Sequence, residues 1–367
     1  MTSQRIVVKL GTSTLTGGTR QINRQRMLEI VQQVARLHQQ NHEMVVVTSG
    51  AVTAGRERLG YPDLGRSVPA KQMLSAVGQG RLMQLYSELF DIFEIPVGQV
   101  LLTRDDLADR PRYLNARDTL ITLIERRIIP IINENDTIAT HEIRVGDNDN
   151  LSALVANLLE ADRLILLTDQ PGLFTADPRH DSHAELIHQV THIDEEMYAL
   201  AGGAGSSVGT GGMVTKIQAA QLASRSGVAT IIASGKEPDI LARIVAGDPV
   251  GTRFEPAVSH LESRKRWLLA DKPRGGVRVD AGAATKLLKG GASLLPVGIT
   301  AVDGEFERGE ILTVFAPTGR EIAHGLTSYN SEDTAKLCGV KSKQIVEILG
   351  YSYGDAIVHR NNLVILV

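Results

Sequence analysis

Short apolar segments alternate with longer amphipathic segments over the first two-thirds of the chain. The apolar segments have the length and the Val, Ile and Leu content of buried strands, and they lie at residues 5–10, 44–48, 97–102, 128–132, 163–168 and 229–233. Between them, apolar residues recur at helical spacing, for example after Asn23, a candidate N-cap. This alternation predicts an α/β fold in which helices cover both faces of a mostly parallel sheet.

The character of the chain changes near residue 250. Prolines and a charged run between residues 252 and 276 predict a linker. Beyond it, short strand-like segments separated by glycine turns lie at residues 277–280, 299–302, 311–315, 322–326 and 356–359. We therefore predict a large domain at residues 1–255, a linker at 256–275 and a small β-rich domain at 276–367.

Composition excludes several classes of protein. The formal net charge of −3 gives no whole-chain field that would hold nucleic acid non-specifically. The single cysteine, Cys338, excludes an internal disulfide and a Cys-rich zinc site, and its ordinary interpretation is a half-buried structural thiol. The N-terminus lacks a signal-peptide pattern, and no stretch approaches the ~20 apolar residues of a membrane span. We predict a cytoplasmic protein with no membrane partner.

Small and polar residues follow several predicted strands, and ligands of parallel sheets bind beyond the carboxyl ends of the strands. Lys9 lies near the end of the first strand, where the chain turns into Gly-Thr-Ser and its ammonium group can point at phosphate oxygens. Ser49 and Gly50 follow the second strand and would let a substrate approach the backbone at a helix N-terminus. Each pattern alone also fits an ordinary strand-to-helix turn.

Two further polar clusters lie at residues 133–136 and 146–150. The first follows the fourth strand directly, and the second opens a predicted helix. Fixed carboxylates and amides at one place suit the ammonium and carboxylate groups of a zwitterion. A calcium loop is disfavoured because its glycine and its twelfth-position glutamate are missing. Simple capping would explain one such cluster but hardly two.

Two further segments complete the candidate site, namely the end of the fifth predicted strand and a glycine-rich segment. Asp169 follows the fifth strand, where it could hold lysines in position or contact a metal through water. Residues 209–216 are rich in glycine and end on Lys216, which suits di- or triphosphate. The segment is not a Walker A sequence, and neither a Gly-x-Ser-x-Gly elbow nor a His-Glu-x-x-His pair occurs. A plain surface loop is the competing explanation.

Taken in order, KLGTS, VTSGAV, NENDT, VGDNDNLSAL, LLTDQPGLFTADPR and GTGGMVTK resemble the amino acid kinase family. The C-terminal part resembles a PUA module. This resemblance implies an open αβα sandwich followed by a PUA-like domain. It further implies ATP with Mg²⁺, and transfer of a phosphoryl group to the side-chain carboxylate of L-glutamate, the first step towards proline. Feedback inhibition by proline, and a homo-oligomer that is a dimer or tetramer, are also implied.

The resemblance assigns roles to individual residues. Lys9 and Lys216 would neutralise the moving phosphoryl group, and Asp169 would orient both lysines. The residues expected to bind glutamate are Ser49, Gly50, Asn133, Asp136 and Asn148. Those expected to bind ATP are Lys9, Thr168, Asp169, Thr210, Gly211, Gly212, Met213, Val214, Thr215 and Lys216. No residue is assigned as a ligand of a resident metal.

Two alternatives stay open from the sequence. The first is another kinase of the same family, acting on acetylglutamate or aspartate. The second is RNA binding, because PUA modules bind RNA elsewhere and residues 261–290 carry eight Lys/Arg against three Asp/Glu. A solvated edge explains that charge equally simply, and residues 291–367 return six basic against nine acidic residues. RNA is therefore the less favoured partner.

Overall fold

The structure, a computed structural model, describes residues 3–65, 67–139, 148–202, 212–270 and 272–366. The chain divides into two compact units. The first comprises Met1–Ala108 and Thr119–Ser259, and the second comprises Asp109–Asp118 and His260–Val367. Within the described ranges, every helix is too short or too polar to cross a bilayer.

An eight-stranded sheet forms the centre of the first unit. Its strands are β1 Arg5–Leu10, β2 Glu43–Thr48, β3 Val97–Leu102, β4 Ile129–Glu134, β5 Arg163–Thr168, β6 Gln189–Val190, β7 Ala229–Ser234 and β8 Thr252–Phe254. They lie in the order β3-β4-β2-β1-β5-β7-β8-β6. All neighbouring pairs are parallel except β7 with β8. The mostly parallel sheet and its six main strands are confirmed, whereas the two short edge strands β6 and β8 carry too few residues to show a pattern in the sequence.

Helices cover both faces of this sheet. They are α1 Thr12–Thr16, α2 Arg24–Gln39, α3 Ala51–Arg58, α4 Val68–Asp91, α5 Arg104–Ala108, α6 Arg110–Glu125, α7 Asn148–Leu158, α8 Glu195–Gly202, α9 Met213–Ser224 and α10 Ile240–Ala246. One face packs against α2, α4 and α10, which share a buried core with Ile6, Val8 and Leu10 of β1. On the other face α7 contacts β1 and β5, and α9 contacts β7. The predicted open αβα sandwich is confirmed.

Side chains along β1 alternate between the two faces of the sheet, so this strand contributes apolar residues to the core on one face and Lys9 to the other. Val8 and Leu10 point into the core shared with α2, and Lys9, one residue out of phase, points to the face covered by α7. The backbone of β1 pairs with β2 on one side and β5 on the other, so Lys9 lies at a central strand. A cation at such a position is surrounded by protein on both sides, and Lys9 is only 5% exposed.

Individual residues determine where α2 begins and how closely α3 and α4 pack. Asn23 caps α2, and its side chain accepts a hydrogen bond from the Arg26 amide, as the sequence predicts. Helices α3 and α4 approach closely because both carry glycine at the crossing. A Cβ at Gly78 would lie 1.8 Å from the Ala51 carbonyl oxygen, and one at Gly55 would lie 2.0 Å from that of Leu74. The two glycines thus fix where α4 runs past the start of α3.

Besides the N-terminal part of α6, the second unit contains a five-stranded sheet and four complete α-helices among its described residues. The strands are β9 Gly275–Val279, β10 Ile299–Asp303, β11 Ile311–Phe315, β12 Glu321–Leu326 and β13 Leu363–Ile365, in the order β10-β9-β11-β12-β13. The helices are α11 His260–Ala270, α12 Ala281–Leu288, α13 Ser331–Lys336 and α14 Ile345–Leu349, and short 3₁₀ turns lie at Pro296–Gly298, Ser342–Gln344 and Arg360–Asn362. A separate core that includes Val277, Leu312 and Tyr329 lies within this unit. The β-rich character predicted for the C-terminal part is confirmed.

One local prediction for this part was wrong. Residues 356–359 do not form a strand, since Ile357 and Val358 are buried in the core with only a single bridge between Val358 and Leu294. The fifth strand is Leu363–Ile365 instead. Residues 256–275 contain helix α11, whose Leu268 is buried, because both prolines of that segment lie outside the helix. The residue boundaries of the predicted domains stay a prediction.

The N-terminal part of α6 belongs to the second unit. Leu114 packs with Leu268 in a small buried cluster. Arg308 donates hydrogen bonds to Asn115 and to Asp118, and its guanidinium lies 3.6 Å from the centre of the Tyr353 ring. Nothing in the sequence pattern of this helix distinguishes these contacts from those of an ordinary covering helix.

Candidate active site

One buried carboxylate joins two lysines from distant parts of the chain. Lys9 Nζ lies 2.7 Å from Asp149 Oδ1, and Lys216 Nζ lies 3.0 Å from Asp149 Oδ2. Lys9 is the last residue but one of β1, Asp149 is the second residue of α7, and Lys216 lies in the first turn of α9. Packing of α7 against both β1 and α9 brings the three together. We call them the Lys9–Asp149–Lys216 clamp.

The clamp is a charged group inside the protein. Its lysines are 5% and 6% exposed, and Asp149 is 1% exposed. Burial raises the pKa of the Asp149 carboxyl, but Lys9 and Lys216 together outweigh burial and hold that pKa well below its usual range. The Thr215 hydroxyl also donates to Asp149 Oδ2, at 2.7 Å. Asp149 is therefore ionised throughout the physiological range, and the clamp carries two positive charges against one negative charge.

Beside the clamp, two asparagines connect the carboxyl ends of β2 and β4. Asn148 Nδ2 is within hydrogen-bond distance of the Thr48 carbonyl, the Ser49 hydroxyl and Asn133 Oδ1, at 2.8, 2.9 and 3.0 Å. Asn133 Nδ2 in turn donates to Gln79 Oε1 at 2.8 Å. Within the described part of the chain, the buried Asn148 Oδ1 accepts no hydrogen bond. An acceptor left open in this way suits a donor supplied by a ligand.

A cavity of about 1180 Å³ opens onto both groups. Its lining includes Lys9 and Lys216 of the clamp, Asn148, and Asp136 from the turn after β4. The Ser75 hydroxyl of α4 donates to Asp136 Oδ2 at 2.6 Å and fixes that carboxylate at the cavity wall. The cavity thus has a cationic part at the clamp and a part lined by amides and a carboxylate, as a phosphate-bearing ligand beside a zwitterion would require.

The comparisons with known proteins agree with this arrangement. The model of the amino acid kinase family matches residues 4–234, more than half of the chain, and that of the PUA domain matches residues 275–349. The chain belongs to the amino acid kinase family. It is 55% identical over 363 residues to a glutamate 5-kinase of Klebsiella pneumoniae, covering 99% of both chains. A glutamate 5-kinase of Herpetosiphon aurantiacus is also 55% identical and is covered to 98%, and one of Yersinia enterocolitica is 53% identical and covered to 99%.

In this amino acid kinase, the predicted substrate residues meet at one wall of the cavity. Ser49, Gly50, Asn133, Asp136 and Asn148 all line it. Gly50 has φ +100°, a conformation that side-chain-bearing residues rarely adopt, and caps the N-terminus of α3. The backbone after β2 therefore turns sharply at the cavity wall, where its amides are available to an anion.

Most of the predicted nucleotide residues also line this cavity. They include Lys9, Thr168, Asp169, Gly212, Met213, Val214 and Lys216. The Thr168 hydroxyl, at the end of β5, donates to Asp169 Oδ1 at 3.1 Å. Thr215 lies next to Lys216 and contacts Asp149. Thr210 and Gly211 lie outside the described residues.

The structure places a carboxylate other than Asp169 in contact with the two lysines. The carboxylate that contacts both lysines is Asp149, whereas Asp169 is exposed at the end of β5. The sequence favours Asp169 because it directly follows the fifth predicted strand. The sequence did hold a signal for Asp149, because GDNDN opens a helix and its second and fourth residues are both acidic. Only the packing of α7 shows which carboxylate turns towards the lysines.

Proposed function

We propose that this chain transfers the γ-phosphoryl group of ATP to the side-chain carboxylate of L-glutamate, giving glutamyl 5-phosphate, the first intermediate towards proline. The observation that carries the proposal is the Lys9–Asp149–Lys216 clamp, which lies beside a cavity wall lined by asparagine amides and the Asp136 carboxylate. Curated glutamate 5-kinases that match 99% of the chain support the same substrate.

The chemistry needs charge neutralisation more than proton transfer. A γ-carboxylate has a reference pKa of about 4.3, so it is already ionised at neutral pH and requires no general base. Consistent with this, none of the described residues that line the cavity is a histidine. The obstacle is repulsion between an anionic nucleophile and a triphosphate. Lys9 and Lys216 provide fixed positive charge at that point, and Asp149 holds both ammonium groups in place before ATP arrives.

The opposite wall suits the amino acid. Asp136, held by Ser75, would accept hydrogen bonds from the substrate ammonium group. Asn148 Oδ1 offers a further buried acceptor. Backbone amides at Gly50 would bind the reacting carboxylate and direct it towards the clamp.

Mg²⁺ would enter with the nucleotide. Mg²⁺ keeps several waters and commonly binds through substrate phosphates and one or two carboxylates. Asp169, exposed on the cavity wall, fits this role, and no cluster of three His, Cys, Asp or Glu side chains occurs among the described residues. When bound, the ion would offset negative charge on the phosphates. We expect chelation of Mg²⁺ with EDTA to abolish ATP turnover and added Mg²⁺ to restore it.

A hydroxylamine trap tests the proposed reaction, because acyl phosphates form hydroxamates. We expect hydroxamate with L-glutamate and ATP, and little with N-acetylglutamate or aspartate. Lys216→Ala should lower kcat about 100-fold or more while changing the glutamate KM much less, because Lys216 acts on the transferring group. Asp136→Ala should mainly raise the glutamate KM. Absence of hydroxamate with glutamate, or a normal kcat for Lys216→Ala, would refute the proposal.

The resemblance to this family supports two finer proposals. Proline would compete for the cavity that binds glutamate, and adding proline to the hydroxamate assay tests this by the change in glutamate KM. The chain would assemble as a dimer or tetramer, which sedimentation velocity measures directly. Cytoplasmic location stays a prediction, and RNA stays the less favoured partner.

A further inference from the structure

Helix α4 presents three polar side chains to the substrate wall. Lys71, Ser75 and Gln79 are spaced four residues apart, so they lie along one face of the helix. Ser75 donates to Asp136, and Gln79 accepts from Asn133. The two C-terminal members of this row therefore hold residues expected to bind glutamate. Lys71, at the N-terminal end of the row, lines the cavity itself.

Lys71 differs from the two clamp lysines in having no structural counter-ion. Among the described residues, no hydrogen bond or ion pair is recorded for its Nζ, whereas Lys9 and Lys216 share Asp149. Burial lowers the pKa of Lys71, and the nearby carboxylates of Asp136 and Glu134 act in the opposite direction. A half-buried ammonium group next to two carboxylates, yet bonded to neither, is available to a ligand carboxylate.

The proposed substrate supplies the matching charge. Glutamate carries a γ-carboxylate that must reach the clamp, and at its other end an ammonium and an α-carboxylate on the same carbon. A site that holds this end needs an anion and a cation side by side. Asp136 provides the anion and Lys71 the cation, both on the wall that α4 supports. Arg179, another cation of the cavity lining, is instead paired with Asp177 at 2.7 Å.

We propose that Lys71 binds the α-carboxylate of the substrate and makes the site selective for an α-amino dicarboxylate. This inference rests on the proposed function, since it assigns the end of glutamate that does not react. It predicts a role in binding that is separate from the phosphoryl transfer at the clamp. Arg56, which also lines the cavity and acts on Lys71 by lowering its pKa, is the alternative cation that the test must separate.

The test compares two ligands that differ only at the α-carboxylate. L-isoglutamine keeps the γ-carboxylate and the ammonium group but carries a neutral α-carboxamide. We expect Lys71→Met to lower kcat/KM for L-glutamate about 10- to 100-fold, the value of a hydrogen bond to a charged group, mostly through KM. For isoglutamine, followed as a substrate or as a competitive inhibitor, the same variant should change kcat/KM or the inhibition constant less than about 3-fold. Lys71→Arg should recover much of the glutamate activity.

Matched variants distinguish the possible outcomes. Arg81→Met removes a cation from the same helix outside the cavity lining and should leave both ligands unaffected. Equal losses for glutamate and isoglutamine in Lys71→Met, or no loss for either, would overturn the assignment. So would a selective loss in Arg56→Met that is absent in Lys71→Met. If the unsubstituted protein forms no hydroxamate with glutamate, the proposed function itself fails, whatever the variants do.

Discussion

Asp149→Asn is the substitution that tests the clamp most directly. It keeps the size of the side chain and one hydrogen-bond acceptor, but it removes the negative charge between Lys9 and Lys216. Both lysines are almost fully buried, so neither ammonium group can turn to bulk water without moving the chain around it. The variant therefore leaves two buried cations next to each other.

The size of the effect follows from the contacts. At an effective dielectric constant of about 20, unit charges about 3 Å apart attract by about 5 kcal/mol, most of which offsets the cost of burying them. Removing one partner of a buried pair lowers the free energy of unfolding by about 3–5 kcal/mol. Because asparagine still accepts one hydrogen bond, we expect a loss of about 3 kcal/mol, towards the lower end of that range. ATP should recover part of the loss, since its phosphates bring negative charge to the same lysines.

Urea unfolding measures this loss. Far-UV circular dichroism is the better signal, because the single tryptophan, Trp267, lies in the second unit. The control is Asp169→Asn, which removes a charge from an exposed residue of the same cavity and should change the free energy of unfolding by less than about 0.5 kcal/mol. Hydroxamate formation should fall far more in Asp149→Asn than the loss of folded protein explains. The role given to Asp149 would be refuted if Asp149→Asn lowered the free energy of unfolding by less than about 1 kcal/mol and kept a normal kcat. It would also be refuted if Asp149→Asn and Asp169→Asn lowered the free energy of unfolding equally.

The same carboxylate gives a pH dependence with a definite sign. Burial raises its pKa, but Lys9 and Lys216 lower it by more, so the folded-state pKa lies below the unfolded value of about 3.9. A group of this kind stabilises the fold above its unfolded pKa and loses that contribution as pH falls through the folded pKa. The difference in urea midpoint between the unsubstituted protein and Asp149→Asn should therefore be largest above about pH 5 and shrink at lower pH. A difference that does not change with pH would contradict this coupling.

Two other substitutions test the support of the site. Ser75→Ala should raise the glutamate KM about 10-fold and leave kcat within about 3-fold. The reason is that Asp136 loses the hydroxyl group that fixes it, whereas the clamp is unchanged. An unchanged glutamate KM in steady-state kinetics would contradict this. Gly78→Ala should lower the free energy of unfolding by about 3 kcal/mol, because the new methyl group would meet the Ala51 carbonyl where α3 and α4 cross. Gly80→Ala is its control in the same helix, where an added Cβ meets nothing within 4 Å, and equal urea midpoints for the two variants would contradict the close approach.

The sheet could be predicted from sequence because five of its six main strands are buried at nearly every position, and only the edge strand β3 is partly exposed. A strand such as β5 must then be apolar at nearly every position, and that run stands out from the helices around it. The positions of Lys9, Ser49 and Asn133 followed from the same rule, since each lies at the carboxyl end of a predicted strand. The motifs that resemble the amino acid kinase family added the expectation that these strand ends surround one ligand site.

The features that could not be predicted from the sequence depend mostly on contacts between segments that are distant in the chain. The acidic run around Asn148 contains two aspartates, and only the orientation of α7 selects Asp149. Helix α4 presented apolar residues and a few polar ones, with nothing to show that Ser75 and Gln79 face Asp136 and Asn133. Strand β13 was missed for a different reason: residues 356–359 are more apolar, but they are buried by core packing and not by pairing.

The charge of the clamp explains why its acid is buried between the lysines and does not face the cavity. Two lysines without a counter-ion would be costly to bury, whereas two lysines balanced by two acids would offer little attraction to a triphosphate. With one aspartate, two positive charges against one negative charge leave a single net positive charge pointing at the cavity. Because both oxygens of Asp149 are already engaged, the carboxylate adds little repulsion on the side that the nucleotide enters. The clamp therefore limits the cost of burying two lysines and still attracts phosphate through its net positive charge. For a reaction between two anions, this net charge matters more than the strength of any single base.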